Sequence, residues 1–239
     1  MSPEERAAAV DALPAAMTDA EASPPEGDLH YDAKNDARET LREWFRRVGR
    51  SVYVAAEMTT YYPGERRFAP DVLVVCDVPV HDRTKWVVDA EGRGLDWVLE
   101  VHVGGDRKKD VELNVARYAR LGIAEYFVYD RARQRLSGYR LAAGTRGYAP
   151  IVPQLGHYPS HVLGLDLTLE DGGLRFYHAS AELLTPRDLA KKLGALVEGL
   201  AAERDAEAER ARTEAERANA AEAEAARLRE ELDALRRES

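Results

Sequence analysis

The stretches FAPDVLVV (residues 68–75) and DWVLEVHV (residues 96–103) decide the fold of this chain. Each is a short apolar run with the length of a buried β-strand. Each also contains one carboxylate, Asp71 in the first and Glu100 in the second. A carboxylate close to a protein core costs free energy unless a cation or hydrogen-bond donors meet it. These two acids are therefore the first candidates for a functional site.

Asp71 and Glu100 together predict a metal site. Two carboxylates that are brought together repel each other, and a divalent cation between them removes that repulsion. Oxygen ligands with room for water are those that Mg²⁺ and Mn²⁺ prefer, and such a cation activates water and neutralises charge on a phosphate. The alternatives are structural. Asp71 after Pro70 would cap a turn, and Glu100 would pair with an arginine such as Arg66 or Arg107.

His102 shares a strand face with Glu100, because side chains two positions apart in a β-strand point the same way. An acid, an apolar residue and a basic residue in that order are typical of a nuclease strand. His102 would then orient or protonate the scissile phosphate or help to bind metal; a buried structural histidine is the alternative. Lys108 and Lys109 in the following loop, GGDRKKD, are candidates for phosphate contact, or else simply solvated charges.

The chain divides by composition into three parts. Residues 1–28 are rich in Ala, Pro, Asp and Glu, and Pro24 and Pro25 predict a flexible leader with at most a short helix in PEERAAAVDAL. Residues 29–186 predict a folded domain. In it, DARETLREWFRRV reads as an amphipathic helix from residue 36, ELNVARYARLG as a second helix, and the other apolar runs as strands. Residues 187–239 predict one long charged helix.

The predicted C-terminal helix carries a seam with alternating spacings of four and three residues from Leu193 to Leu235, which is a heptad pattern. The two ends of this seam are Leu-rich, whereas Arg204, Glu207 and Glu214 occupy its middle. A coiled coil that makes a homodimer and a solvated single helix are both compatible with this pattern. In either case the segment is predicted to be helical, since Ala, Glu and Arg are good helix formers.

Charge and cysteine content limit the class of protein. The formal net charge of −9 argues against a protein that coats nucleic acid through bulk charge, although a local basic groove is compatible with it. The chain has one cysteine, Cys76, so it forms no internal disulfide, which fits a reducing compartment. No run approaches the ~18 apolar residues of a membrane helix, and the N-terminus lacks a secretory signal pattern. We therefore expect a cytoplasmic protein without membrane segments.

Several motifs, in this order, resemble the Uma family of putative restriction endonucleases, a branch of the PD-(D/E)xK nuclease superfamily. Pro70-Asp71-Val72 is similar to the family's PD strand, and Leu99-Glu100-Val101 is similar to its Glu strand. The segment ARYARLGIAEYFVYD is similar to the family's helix-Gly-strand segment, at Tyr118, Gly122, Ile123, Glu125, Tyr126 and Asp130. The resemblance spans about residues 30–185.

The resemblance implies a restriction-endonuclease-like fold of the mixed α/β (α+β) class, a mixed sheet flanked by helices, followed here by the long C-terminal helix. It implies a metal-dependent DNA endonuclease in which Asp71 and Glu100 hold Mg²⁺ or Mn²⁺. The family's usual lysine position, on the following helix, is Asn114 here, and its serine position is Val103. His102 stands at the older superfamily lysine position. Asn114 can donate a hydrogen bond but carries no positive charge. A catalytically degenerate nuclease fold that binds DNA or a protein is therefore the alternative.

Overall fold

The computed structural model of the protein describes residues 2–18, 27–104, 113–142 and 144–238. The chain divides into two compact units, residues 1–186 and 187–239. The described helices are α1 (Pro3–Asp11), α2 (Gly27–Val48), α3 (Val88–Glu91), α4 (Asn114–Arg120) and α5 (Pro186–Glu238). The described strands are β1 (Val52–Ala56), β2 (Thr60–Tyr61), β3 (Val72–Cys76), β4 (Trp86–Val87), β5 (Trp97–His102), β6 (Glu125–Asp130), β7 (Arg135–Leu141), β8 (Tyr148–Pro150), β9 (Tyr158–Ser160), β10 (Leu165–Glu170), β11 (Gly173–His178) and β12 (Ala181–Leu183).

A six-stranded mixed sheet in the order β1-β3-β5-β6-β7-β8 forms the centre of the first unit. Its neighbouring strands pair antiparallel except β5 and β6, which run parallel. A parallel pair needs a crossover connection, and α4 lies in this one. The predicted mixed sheet flanked by helices is therefore confirmed.

Alternate residues of the central strands enter two cores on opposite faces of the sheet. On one face, Trp97 and Leu99 of β5 lie in a cluster with Phe45 of α2. On the other face, Val98 lies in a cluster with Tyr118 of α4. Helices α2 and α4 therefore cover opposite faces of the same strands, and residues that follow Val98 in steps of two face α4.

Two smaller sheets complete the first unit. The strands β12-β11-β10-β9 form an antiparallel sheet, and β2 and β4 form a parallel pair. Leu167 of β10 and Phe176 of β11 are buried in the same core as α2. The second sheet therefore contributes to the core that holds α2 in place.

Helix α2 begins earlier than the sequence predicted, at Gly27 rather than at residue 36. The reason is that its buried side chains continue toward the N-terminus in steps of four. These are Ala33, Ala37, Leu41 and Phe45. Alanine gives a weak hydrophobic signal in a sequence, but its small side chain packs a helix closely against a sheet. This extension brings two turns of α2 to the end of the central sheet.

The leader contains α1, so the short helix expected in PEERAAAVDAL is confirmed. The last residue of α1 and the residues that follow it are hydrogen-bonded to the rest of the first unit. Nζ of Lys85 donates to the carbonyl oxygens of Asp11 (2.9 Å) and Leu13 (2.6 Å), Oγ1 of Thr59 donates to Ala15 (2.7 Å), and the Tyr61 hydroxyl donates to Pro14 (2.7 Å). Residues 11–15 are therefore held against the surface around β2 and β4.

The predicted long C-terminal helix is confirmed as α5. Its large apolar side chains are exposed in the single chain, with Leu193, Leu196, Val197 and Leu200 in the first part and Leu228 and Leu232 in the last. The coiled coil stays a prediction. None of the described helices is long and apolar enough to cross a membrane.

Candidate functional site

Asp71 and Glu100 meet at one end of the central sheet. Asp71 immediately precedes β3, and Glu100 lies toward the C-terminal end of its antiparallel neighbour β5. The backbone N–H of Val101 donates to Oδ2 of Asp71 (2.7 Å), and the backbone N–H of Asp71 donates to Oε2 of Glu100 (3.4 Å). The structure thus brings the two predicted acids side by side.

His30 and Glu57 join Asp71 in the same cluster. Nε2 of His30, on α2, lies 3.0 Å from Oδ1 of Asp71. One ligand atom each of His30, Glu57 and Asp71 lies within 4.8 Å of the other two. Glu57 follows β1, and its backbone N–H donates to the carbonyl oxygen of Pro70 (3.0 Å). The turn after β1 is therefore tied to the residues that carry Asp71.

Lys34 brings a second basic group to this end of the sheet. It lies one turn after His30 on α2, is 4% exposed, and donates a hydrogen bond from its ammonium group to Oε1 of Glu57. A buried ammonium group costs free energy unless a carboxylate meets it. Helix α2 therefore supplies both basic side chains that face the acids, His30 to Asp71 and Lys34 to Glu57.

Tyr118, on α4, contacts Glu100 on the face of the sheet opposite to the one that α2 covers. Its hydroxyl donates to Oε1 of Glu100 at 2.6 Å, and both groups are buried. Burial and the charge of Glu100 raise the pKa of Tyr118 well above its ordinary value. The hydroxyl therefore stays protonated at neutral pH and acts as a donor that orients the Glu100 carboxylate.

The donor set at this end of the sheet fits a divalent cation. His30, Glu57 and Asp71 offer one imidazole nitrogen and two carboxylate oxygens within reach of one ion, and the carboxylate of Glu100 lies against Asp71. Carboxylates suit Mg²⁺ and Mn²⁺, whereas imidazole suits transition metals. A mixed set of this kind fits Mn²⁺ better than Mg²⁺.

Replacing Tyr118 by phenylalanine is expected to weaken Mn²⁺ binding by roughly 10- to 100-fold, the usual cost of losing a group that orients a ligand. The ring would keep its contacts with Tyr126 and Phe68, at 5.0 and 5.6 Å between centroids. Calorimetric titration measures the affinity. Tyr148→Phe is the matched control, because its hydroxyl donates to the backbone of Ile123 and not to an acid of the site. Equal affinities in the two variants would contradict the orienting role.

The structure places His102 beside Asp130 on the parallel neighbour β6. His102 is buried. Burial raises the pKa of Asp130, but hydrogen bonds from Arg133 and the charges of Arg133 and His102 lower it overall. His102 shares the strand face of Glu100, yet it is not in the group of ligand atoms formed by His30 and its neighbours.

Asn114 and the predicted loop lysines complete the set of candidates. Asn114 is the first residue of α4 and is buried. It precedes Tyr118 by four residues, so the two side chains lie on the same face of the helix. Lys108 and Lys109 lie outside the described residues.

Three residues of the cluster, His30, Lys34 and Glu57, were not found by sequence analysis. Placing the leader boundary at residue 28 and the helix start at residue 36 left the first two in an unassigned segment. One signal was present, because His30 and Lys34 are four residues apart on what the structure shows to be one helix. Glu57 had no comparable signal, because it lies in a turn.

Two comparisons with known proteins gave a match. The family model Uma2, described as putative restriction endonuclease, matches residues 19–171, more than half of the chain and all the residues of the cluster. A solved structure of a putative nuclease belonging to DUF820, from Anabaena variabilis ATCC 29413, is similar with a TM-score of 0.47 and 14% identity, and the match covers 59% of this chain and 76% of that chain. No curated protein matches the chain.

Proposed function

The chain belongs to the Uma2 family of putative restriction endonucleases, and from this premise we propose that it is a metal-dependent endonuclease that hydrolyses phosphodiester bonds of DNA. The observation that carries the proposal is the cluster of carboxylates from Glu57, Asp71 and Glu100 at one end of the sheet. Carboxylate oxygens are the ligands that Mg²⁺ and Mn²⁺ prefer in proteins. A metal-dependent function therefore explains why three of them meet at one end of the sheet.

Each residue of the cluster has a proposed role. Asp71 and Glu100 would hold the cation, with Glu57 and His30 as further ligands. When bound, the cation would polarise the phosphate and lower the pKa of a water molecule. The backbone N–H of Val101 fixes one oxygen of Asp71 and leaves the other on the side of His30.

Lys34 would supply the positive charge that Asn114 cannot provide. It is buried one turn from His30 and paired with Glu57. Once a cation shares Glu57, the ammonium group can turn to an oxygen of the scissile phosphate, where a fixed charge stabilises the transition state. His102 and Asn114 keep supporting roles in the proposal, since His102 shares the strand face of Glu100 and Asn114 lies one helical turn before Tyr118.

The proposal is tested by incubating plasmid and linear duplex DNA with the protein and Mn²⁺ or Mg²⁺. We expect cleavage that a chelator abolishes and that is faster with Mn²⁺. Glu100→Gln should lower the rate at least about 100-fold, the upper end of what loss of an orienting group costs. Glu170→Gln is the matched control, because Glu170 also accepts a hydrogen bond from a tyrosine hydroxyl, that of Tyr177 at 2.8 Å, but lies on β10.

A DNA-binding module without hydrolysis is the second candidate. The observation that favours it is that the lysine position of the family holds Asn114, while His102 lies against Asp130. Tight DNA binding with no cleavage in any divalent metal would select this candidate. Chelator-sensitive cleavage that is lost in Glu100→Gln would exclude it.

The proposal extends to α5, which would join two copies of the chain through its heptad seam. Exposed Leu228 and Leu232 lie on that seam, where an apolar contact with a second helix would cover them. We expect a dimer in sedimentation, and at least tenfold weaker dimerisation in Leu228→Glu/Leu232→Glu. Ala223→Glu/Ala226→Glu adds the same charge away from the seam and should leave the dimer intact. A wild-type chain that sediments as a monomer would contradict dimerisation.

A further inference from the structure

A line of basic residues runs along α2 away from the acidic cluster. His30, Lys34, Arg38, Arg42 and Arg46 follow one another in steps of four. A helix rises ~1.5 Å per residue, so each step covers about 6 Å and the distance from Lys34 to Arg46 is about 18 Å. We call Lys34, Arg38, Arg42 and Arg46 the basic ridge. Such a line is notable in a chain whose formal net charge is −9.

Packing of α2 fixes the direction in which the basic ridge faces. Each ridge residue directly follows one of the buried residues Ala33, Ala37, Leu41 and Phe45. The ridge therefore lies along the margin of the packed face and cannot rotate away from it. Its side-chain exposure rises from the site outward, with 5% for Lys34, 32% for Arg38, 44% for Arg42 and 72% for Arg46. The basic ridge thus leads from the buried Lys34 beside the cluster into solvent.

The first part of the basic ridge lies beside β1, the edge strand of the central sheet. Lys34 reaches Glu57 just after β1. Burial raises the pKa of Tyr53 on β1, and the charges of Arg83, Arg38 and Arg42 oppose that rise. Among the described strands of this sheet, β1 has a neighbour on one side only. The ridge therefore lies beside an edge of the central sheet.

Two carboxylates of α2 pair with the three arginines of the ridge in the free protein. Glu39 pairs with Arg38 and lies 3.6 Å from Arg42, and Glu43 makes two hydrogen bonds with Arg46, at 2.7 and 2.8 Å. Exposed ion pairs between neighbouring residues of a helix contribute little to stability. A phosphate can therefore replace either carboxylate at little cost to the fold.

We propose that the basic ridge binds the phosphate backbone of the DNA strand that enters the acidic cluster. The bound strand would then lie along α2. This rests on the proposed nuclease function. One strand of duplex DNA presents a phosphate about every 3.4 Å along its axis, so the ~18 Å of ridge spans about five phosphates. A protein of net negative charge needs a local basic surface of this kind to hold a polyanion.

The test measures binding of a fluorescent duplex over a range of salt concentrations, in chelator so that no cleavage occurs. Arg42→Gln/Arg46→Gln should bind at least tenfold more weakly. The slope of log affinity against log salt should fall by about two, roughly one per lost phosphate contact. Arg212→Gln/Arg227→Gln on α5 removes the same charge from two exposed arginines that also pair with a glutamate three residues earlier. This control should bind as the wild type does.

A change of opposite sign gives a second readout. Glu43→Gln removes the carboxylate that competes for Arg46, so it should tighten DNA binding and steepen the salt dependence. Equal salt slopes in the wild type and Arg42→Gln/Arg46→Gln, or equal losses in the two arginine pairs, would overturn the ridge while leaving the cleavage assay unaffected. A wild-type chain that neither binds nor cuts DNA would overturn the nuclease proposal together with the ridge.

Discussion

Asp71→Asn is expected to reduce Mn²⁺ affinity at least about 100-fold, which in a calorimetric titration appears as loss of binding. Asp71 contacts two other parts of the cluster, His30 through Oδ1 and the strand of Glu100 through Oδ2. Asparagine has the same shape and can still accept from Val101, so the turn before β3 is preserved. What disappears is the charge and one anionic ligand. Cleavage of DNA should disappear with it.

Asp77→Asn is the matched control for this substitution. Asp77 directly follows β3, at the end opposite to Asp71, and its side chain is exposed. It has a positive φ of 57°, a conformation that asparagine also tolerates. Full Mn²⁺ affinity in both variants would show that Asp71 is not a ligand. Absence of binding in the wild type would favour a binding module, or a site completed only by DNA.

Glu125→Ala is expected to lower the free energy of unfolding by about 3–5 kcal/mol, the usual cost of breaking a buried ion pair. Glu125 is 1% exposed. It accepts hydrogen bonds from Nε of Arg140 (2.8 Å), from the hydroxyl of Ser160 and from the backbone N–H of His161 (2.9 Å). These donors lie on β7 and around the end of β9. One carboxylate thus joins the central sheet to the second sheet, and its removal leaves several donors without an acceptor.

Urea unfolding measures this loss, with Glu43→Ala as the control. Glu43 also pairs with an arginine but is exposed on α2, and its replacement should leave the unfolding midpoint unchanged. Glu125→Gln should lose less than Glu125→Ala, because its one amide oxygen keeps an acceptor for either Ser160 or His161. A loss below about 1 kcal/mol in Glu125→Ala would show that the carboxylate is not a structural link.

Asp71 and Glu100 could be recognised from the sequence because the pattern that marks them involves only neighbouring residues. In a β-strand, residues two positions apart share a face, so a short stretch of sequence is enough to predict which side chains lie together. An acid inside an apolar run is likewise visible without any knowledge of the fold. The same local rules predicted β3, β5, β6 and the long helix α5 correctly. The family motifs then indicated that these elements form a mixed sheet flanked by helices.

The partners of those acids depend on long-range packing, and sequence patterns do not contain it. His30 meets Asp71 across 41 positions of chain, and Tyr118 meets Glu100 across 18. Both contacts exist only because α2 and α4 cover opposite faces of one sheet. His102 shows the same difference between local and long-range information. Its strand face could be predicted from the sequence, but its neighbour Asp130 is set by the parallel register of β5 and β6.

The sequence by itself therefore determined the strands β3, β5 and β6, the two acids and the charged C-terminal helix of this protein, since each depends on residues close together in the chain. Only the tertiary structure decided that α2 supplies His30 and Lys34 to the site and that Glu57 joins them. The physical reason is that the position of α2 is set by its buried alanines and by the core formed with the second sheet. Those contacts join residues that are far apart in the chain, so no local pattern contains them.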